Sequence, residues 1–404
     1  AALLIGPAAW WHDWDYEQSL DALAGALVAG HVIECGAQAT GGNYPFFTDV
    51  PGLDHPGFPI AEIAADGSSV ITKHEDTGGM VSVGTVTAQL LYEIGGPDYA
   101  NPDVTARFDT IACEQVGRDR VRISGVRGSA PPQRLKVSMN ALGGFRNSMT
   151  LVLTGLDIEA KADLAVRTIT GLSLADLDKG RSPAELAAAS ALDVDELAIT
   201  LVDQDRSDPV GIAAAQSHLH IVAKSSDPKK VGKALTGPVV ESALASYPGF
   251  FPTAPPASGT PFGVYWPTTV STDQVDVQVC LDGVTVPATA DGCHPAPVSQ
   301  SPCQLPQVPA LQQADLVPVP LGRILGARSG DKGGNANVGF WVPCGTEAEA
   351  VALANQHTDT MVSPVIRTGA DVATVQAAEE PLLPVASDEE RARRTYAWLA
   401  DWLT

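Results

Sequence analysis

Positive charge is what this chain has least of. Its 404 residues carry 25 Lys and Arg against 47 Asp and Glu, a formal net charge of −22. A field of that sign repels phosphate backbones and anionic lipid, which argues against nucleic acid and membrane surfaces as partners. It also turns away an anionic small molecule, except at a locally basic or amide-lined pocket. Long apolar runs are lacking too: none approaches the roughly 18 residues of a membrane span. Ala1–Trp10 has no basic stretch ahead of its apolar residues, so it does not read as a secretory signal. The six cysteines are mostly far apart, as expected of reduced thiols in a cytoplasmic protein and not of a disulfide framework. Walker, G-x-G-x-x-G, G-x-S-x-G, HExxH and CxxC spacings do not occur, so no nucleotide, zinc or other cofactor is specified.

What is present is globular. Apolar residues make up 45% and charged residues 18%, and the length predicts two or three domains at roughly 100–200 residues each. Ala2–Ile5 (ALLI) reads as a buried strand without its preceding segment. Glu17–Ala29 has helical spacing of Leu20, Leu23, Ala24 and Leu27, and His31–Cys35 reads as a strand. Val70–His74 reads as a second strand, opening a helix from about Ser82 to Ile94. Together these predict an α/β layer. From Phe108 the period becomes two: Ile111–Val116 and Arg120–Ile123 flank Gly117-Arg118-Asp119, a hairpin signal. Strands Arg134–Met139 and Met149–Leu153, a helix Asp157–Ile169, strands Leu197–Val202 and His218–Ala223 and a helix Lys230–Ser246 follow. From Met149 on, their order fits a ferredoxin-like sandwich. The expected fold is thus an α/β main domain followed by α+β units, with domains at 1–286 and 319–404 and a Pro/Gln-rich linker at 287–318. Beyond the linker, Ala348–Asn355 and Asp388–Trp402 read as helices.

Four passages crowd polar groups against glycines. In His31–Asn43, Glu34 and Cys35 end the expected strand, and Gly41, Gly42 and Asn43 let backbone amides turn toward an anion; the plain alternative is a tight turn with a capping Glu. In Lys73–Thr85, Lys73 and His74 offer charge and a proton carrier, with Gly78 and Gly79 before a helix N-terminus; an ordinary strand-to-helix turn is the competing reading. In Gly143–Ser148, Arg146 is placed to clamp a carboxylate or phosphate, against a glycine hairpin with an exposed arginine. In Arg328–Asn337, the residues Arg328, Asp331, Lys332, Gly333, Gly334, Asn335 and Asn337 fit an amide-lined anion cradle turned toward the main domain. Glu34, Cys35 and His74 are the acid–base candidates. His218 and His220, at i and i+2 of one strand, lack a third metal ligand, and Cys293, His294 and Cys303 lack zinc spacing.

The stretches Gly30–Tyr44, Asp54–Gly96, Lys136–Ala162 (KVSMNALGGFRNSMTLVLTGLDIEAKA) and Val319–Trp341 (VPLGRILGARSGDKGGNANVGFW) occur in an order that resembles the acyclic terpene utilisation AtuA family. The likeness covers most of Ala1–Trp341. It implies an AtuA-type domain followed by a ferredoxin-fold domain, and a place in acyclic terpene and branched acyl-CoA breakdown. It supplies no catalytic residues. The chain departs from the family pattern before Gly6–Trp11 and over Pro343–Arg394, and Tyr396–Leu399 resembles a helix the family places sooner. A fragment, with its C-terminal domain incomplete, is therefore expected. The function these readings predict is an enzyme acting on a terpenoid acid or acyl-CoA. The alternative is a non-catalytic partner of acyl-CoA carboxylase subunits, and self-association into a homo-oligomer fits either.

Overall fold

The computed structural model describes residues 1–202, 209–287, 322, 326–332 and 335–341. The readings placed on 288–321 and on the chain beyond Trp341 lie outside these residues. The chain divides into two compact units. One contains Ala1–Ser138 with the described residues from Pro267 onward, and the other contains Met139–Trp266. Both mix helices with antiparallel sheet.

The first unit is organised around one buried helix. Ala2–Leu4 is a short 3₁₀ turn running into α1 (Ile5–His12), followed by α2 (Leu20–Glu34). Every residue from Ala22 to Val32 is buried, so α2 is covered all round. This corrects two expectations. Ala2–Ile5 is helical, not a strand, and His31–Cys35 is the last turn of α2 and its cap. A four-residue apolar run has no period that separates strand from buried helix. A helix with no polar face shows no 3.6-residue alternation either.

Around α2 lie β1 (Pro59–Ile63), β2 (Ser69–Lys73), α3 (Val83–Leu90), β3 (Asp98–Ala100), β4 (Thr105–Arg107), β5 (Ala112–Gly117), β6 (Arg120–Ser124) and β7 (Arg127–Ser129). They form an antiparallel sheet in the order β1-β2-β6-β5 and a smaller one in the order β3-β4-β7. The β5–β6 hairpin matches the expected one, and Asp119 takes the left-handed conformation at its turn (φ 52°). Leu23, Leu27, Val28, Ile71, Val86, Val104, Val121 and Ile123 make the core.

The second unit is built on β8 (Arg134–Thr154, from Met139 on), α4 (Ile158–Thr170), α5 (Leu174–Leu177), α6 (Pro183–Ala189), β9 (Glu196–Val202), β10 (Gln216–Ser225), α7 (Pro228–Val231), α8 (Lys233–Glu241), β11 (Phe251–Pro252) and β12 (Thr260–Ser271, up to Trp266). The sheet order is β11-β8-β10-β9, with β12 also on β8, and the paired registers are antiparallel. Burial alternates along β10, with Ser217, Leu219, Ile221, Ala223 and Ser225 inward. Leu219, Ile221 and Ala223 pack with Leu151, Leu153, Ala165, Val166, Leu197 and Leu235 into a second core. Gly143-Gly144 was expected to turn the chain between two strands. It lies instead inside β8, where Gly144 at φ 123° sits against the Ser225 carbonyl of β10. Arg146 is therefore an exposed strand residue opposite Lys224 and not a loop clamp.

The remaining described chain belongs to the first unit: a hairpin of β13 (Gln278–Leu281) and β14 (Val284–Pro287), and another of β15 (Gly326–Lys332) and β16 (Asn335–Trp341). Among the described residues no helix is long and apolar enough to cross a membrane.

Candidate functional site

Two of the other polar passages touch the one that follows α2: Arg328 bonds Gln38 across 290 residues of sequence, and Met80 N–H donates to the Thr40 carbonyl. They do not meet as amide cradles. After α2 the chain winds through a 3₁₀ turn, Gly36–Gln38, in which the Gly41 and Gly42 N–H groups donate to the carbonyls of Gln38 (3.1 Å) and Ala37 (2.8 Å). Asn43 takes a left-handed conformation (φ 56°) and is exposed. Thr40 is fully buried, its hydroxyl donating to the Gly57 carbonyl (2.6 Å).

The Lys73–Thr85 passage is closed in the same way. Gly78 N–H donates to His55 O (3.1 Å) and Gly79 N–H to Pro51 O (2.7 Å). At the start of α3, Ser82 and Thr85 form a capping box, and Val83 N–H donates to the Gln115 side chain (3.2 Å). Neither Gly41, Gly42, Gly78 nor Gly79 thus offers its amide to an anion. Lys73, nearly buried, donates to Thr77 O (2.7 Å) and lies 3.9 Å from Asp119. It holds the turn that leaves His74 exposed to solvent.

The passage Arg328–Asn337, expected to be a loop, is the β15–β16 hairpin. Its register runs from Gly326↔Trp341 to Lys332↔Asn335; Gly333 and Gly334 lie outside the described residues. The side chains of Asp331, Lys332 and Asn335 are likewise outside the described set. One face of the hairpin lies on the end of α3. Asn337 Nδ2 donates to Leu91 O (2.9 Å) and Ile94 O (3.1 Å), while its Oδ1 accepts from Glu93 N–H (3.0 Å). Asn337 is therefore a clamp on the helix end, not a ligand donor. Trp341 stacks on Tyr44, with ring centroids 6.3 Å apart.

Arg328 is the residue this docking positions. Its Nε and Nη2 donate to the Gln38 side-chain carbonyl (3.1 and 2.6 Å) and Nη1 donates to Ser329 O (2.9 Å). Its guanidinium carbon lies 4.3 Å from the centroid of the Tyr92 ring. Both acceptors are neutral, and among the described side chains no carboxylate pairs with it. The cation is fixed in place and, among the described residues, has no carboxylate partner, the condition for charge-assisted binding of a carboxylate or phosphate.

Tyr92 joins Arg328 to two further groups. Burial, then the Glu93 charge and a hydrogen bond to its side chain, raise the phenol above its ordinary value of 10.0, and Cys35 lies close enough to act in the same direction. Glu93 was not among the residues the sequence singled out. Cys35, half-buried at the C-terminal cap of α2, is a free thiol. Glu34, one residue earlier, is exposed.

Beneath this cluster His31 is buried in α2. Its Nε2 contacts Gln89 O (3.0 Å), Gln89 Nε2 donates back to His31 O (3.1 Å), and Tyr99 and Phe108 meet the ring edge-on. Burial lowers the imidazole below its ordinary 6.5. Above that value neither folded nor unfolded chain is protonated there, so the group costs nothing. As pH falls below 6.5 the unfolded chain takes up a proton the folded one refuses, and stability declines. Melting temperature measured from pH 7.5 downward should fall below pH ~6.5 more steeply for the native protein than for His31→Gln; parallel slopes would contradict this.

Other groups stay apart from the cluster. In the second unit His218 and His220 are 6.0 Å apart, and His220 Nδ1 contacts the Thr150 hydroxyl (2.9 Å). Among the described residues no three His, Cys, Asp or Glu side chains gather as a metal site. A groove of about 430 Å³ between Trp14, Asp21 and Asp66 contains none of the sequence-selected residues.

The described chain is thus two units that mix helices with antiparallel sheet, the first carrying a fixed arginine. The family described as acyclic terpene utilisation family protein AtuA matches residues 1–281, and the chain belongs to that family. No curated protein and no solved structure matches it.

Proposed function

We propose that this protein is a cytoplasmic enzyme of acyclic terpene utilisation that takes a terpenoid acid or branched acyl-CoA at the α2–α3 end, with Arg328 as anion anchor. One observation carries the reading: a guanidinium held by Gln38 and Tyr92 with only neutral acceptors among the described residues, in a protein of net charge −22. Building such an arginine into a strongly acidic chain is useful chiefly if something anionic arrives from solution. The half-buried ring of Tyr92 beside Arg328 supplies apolar surface for a branched hydrocarbon, while Trp341, buried against Tyr44, seats the hairpin. The order β11-β8-β10-β9 supports a ferredoxin-like reading of the second unit.

Calorimetric titration with geranic acid and geranoyl-CoA tests the anchor. Arg328→Gln should weaken binding by at least about tenfold, the loss of one charge-assisted contact; unchanged affinity would return Arg328 to a structural role.

A second reading, a non-catalytic partner of acyl-CoA carboxylase subunits, is favoured by the β13–β14 hairpin. Its Val279, Leu281 and Val284 side chains are 48–65% exposed along a two-stranded ribbon, apolar surface suited to a protein partner. Co-purification of carboxylase subunits together with inert substrates would favour it.

A further inference from the structure

We propose that Glu93 is a general base that removes a proton from carbon in the substrate anchored at Arg328, an inference that rests on the anion-site reading above. Among the described residues seven non-glycine positions have positive φ, and six of them are Asp or Asn, which tolerate it. Glu93, at φ 58°, is the exception. A long side chain gains nothing locally from that conformation, and the backbone is held there from far away. Asn337 Oδ1 accepts the Glu93 N–H, and Gly330 leaves the space its side chain occupies, since a Cβ there would come 2.9 Å from Glu93 Cγ. Strain imposed by a distant element marks a side chain that is being aimed.

It is aimed at the far side of the Tyr92 ring. Arg328 lies over the ring face and the Glu93 carboxylate holds the ring's hydroxyl. Both groups thus meet the same phenol, so a carboxyl or thioester oxygen held at Arg328 would turn the carbon acid beside it toward Glu93. The chemistry that fits is proton transfer at carbon. The Glu93 carboxylate takes the proton from the α-carbon, or from the γ-carbon of a 2-enoyl group. The C–H electron pair moves to the carbonyl oxygen as an enolate or dienolate, and that oxygen gains its charge against Arg328. Return of the proton to the same carbon regenerates substrate, and return to the other shifts the double bond. No oxidant, reductant or co-substrate is needed. Tyr92 is a positioning residue, fixing the carboxylate through its hydroxyl and the guanidinium through its ring.

The test is solvent exchange. Full-length protein is incubated with geranoyl-CoA in deuterium oxide, and deuterium at carbon is read by mass spectrometry, with affinity measured in parallel. The expected result is incorporation by the native protein that Glu93→Gln lowers by at least about a hundredfold at unchanged affinity. Glu93→Asn, which suits left-handed backbone but has no carboxylate, should lose exchange equally and guards against a Gln variant that does not fold. Tyr92→Phe keeps the stacked ring and should displace the pH profile of exchange, which a purely structural tyrosine would leave in place. Native binding without exchange, or exchange at the native rate in either Glu93 variant, overturns the base and leaves the anion site standing. No binding by the native protein overturns the anion site itself.

Discussion

Gly330→Ala is expected to abolish measurable affinity for geranoyl-CoA while the rest of the protein stays folded. A Cβ at position 330 would lie 2.5 Å from Tyr92 Cε2, 2.8 Å from Cδ2 and 2.9 Å from Glu93 Cγ. The usual escape, rotation of the ring, is barred because Arg328 sits over one face of it. The hairpin must lift instead, and lifting it pulls Asn337 off the three backbone groups it holds at Leu91, Glu93 and Ile94. Overpacking of this kind costs about 1–3 kcal/mol. Here the cost falls on the contact that assembles the site, so affinity should drop more than melting temperature. Gly95→Ala, two residues past Glu93, meets nothing within 4 Å and serves as the control. Equal affinity in the two variants would mean that the hairpin does not build the site.

The largest loss of stability should come from Leu27→Ala. Leu27 is fully buried at the middle of α2 and packs in the core that includes Leu23, Ile71, Val86 and Val121. Alanine is at least as good a helix former as leucine, so helix propensity contributes none of the loss. What remains is lost transfer energy plus a cavity that a helix enclosed on all sides cannot collapse into, about 2–5 kcal/mol. For a unit of this size that is a melting shift on the order of 10 °C. Leu164→Ala, on a residue of α4 that is 38% exposed, should move the transition by far less. Similar shifts would argue that α2 is not the centre of its core.

The sequence announced those elements whose signals are local. The β5–β6 hairpin was legible because period-two alternation flanks a turn that Asp119 can make. The helix from Ser82 was legible because its cap lies in its first turn. Where an element is enclosed, or shaped by a distant neighbour, the signal is not local. The end of α2 read as a strand because its covering is contributed by chain outside the window. Gly143-Gly144 read as a turn because the strand that keeps it extended, β10, begins at Gln216. The site divides in the same way. Arg328 stood out by its residue type among glycines, and Cys35 by its place after a buried run. The glycines around them invited an anion cradle, but the carbonyls that take their amides, such as Pro51 and His55, belong to a separate loop. Glu93 carried no signal, since its left-handed backbone is set by Asn337, 244 residues away.

That separation orders events during synthesis. Gln38, Tyr92 and Glu93 leave the ribosome long before Arg328 and Asn337, and the core around α2 can close without them. Bringing the hairpin back closes a loop of some 290 residues, whose entropy cost rises only slowly with length but which makes its contacts among the last to form. A nascent or prematurely ended chain would therefore hold a folded first unit with no anchor and no aimed carboxylate. Folded protein of this kind can accumulate before binding capacity does, and the lag between the two reports the arrival of a single β-hairpin.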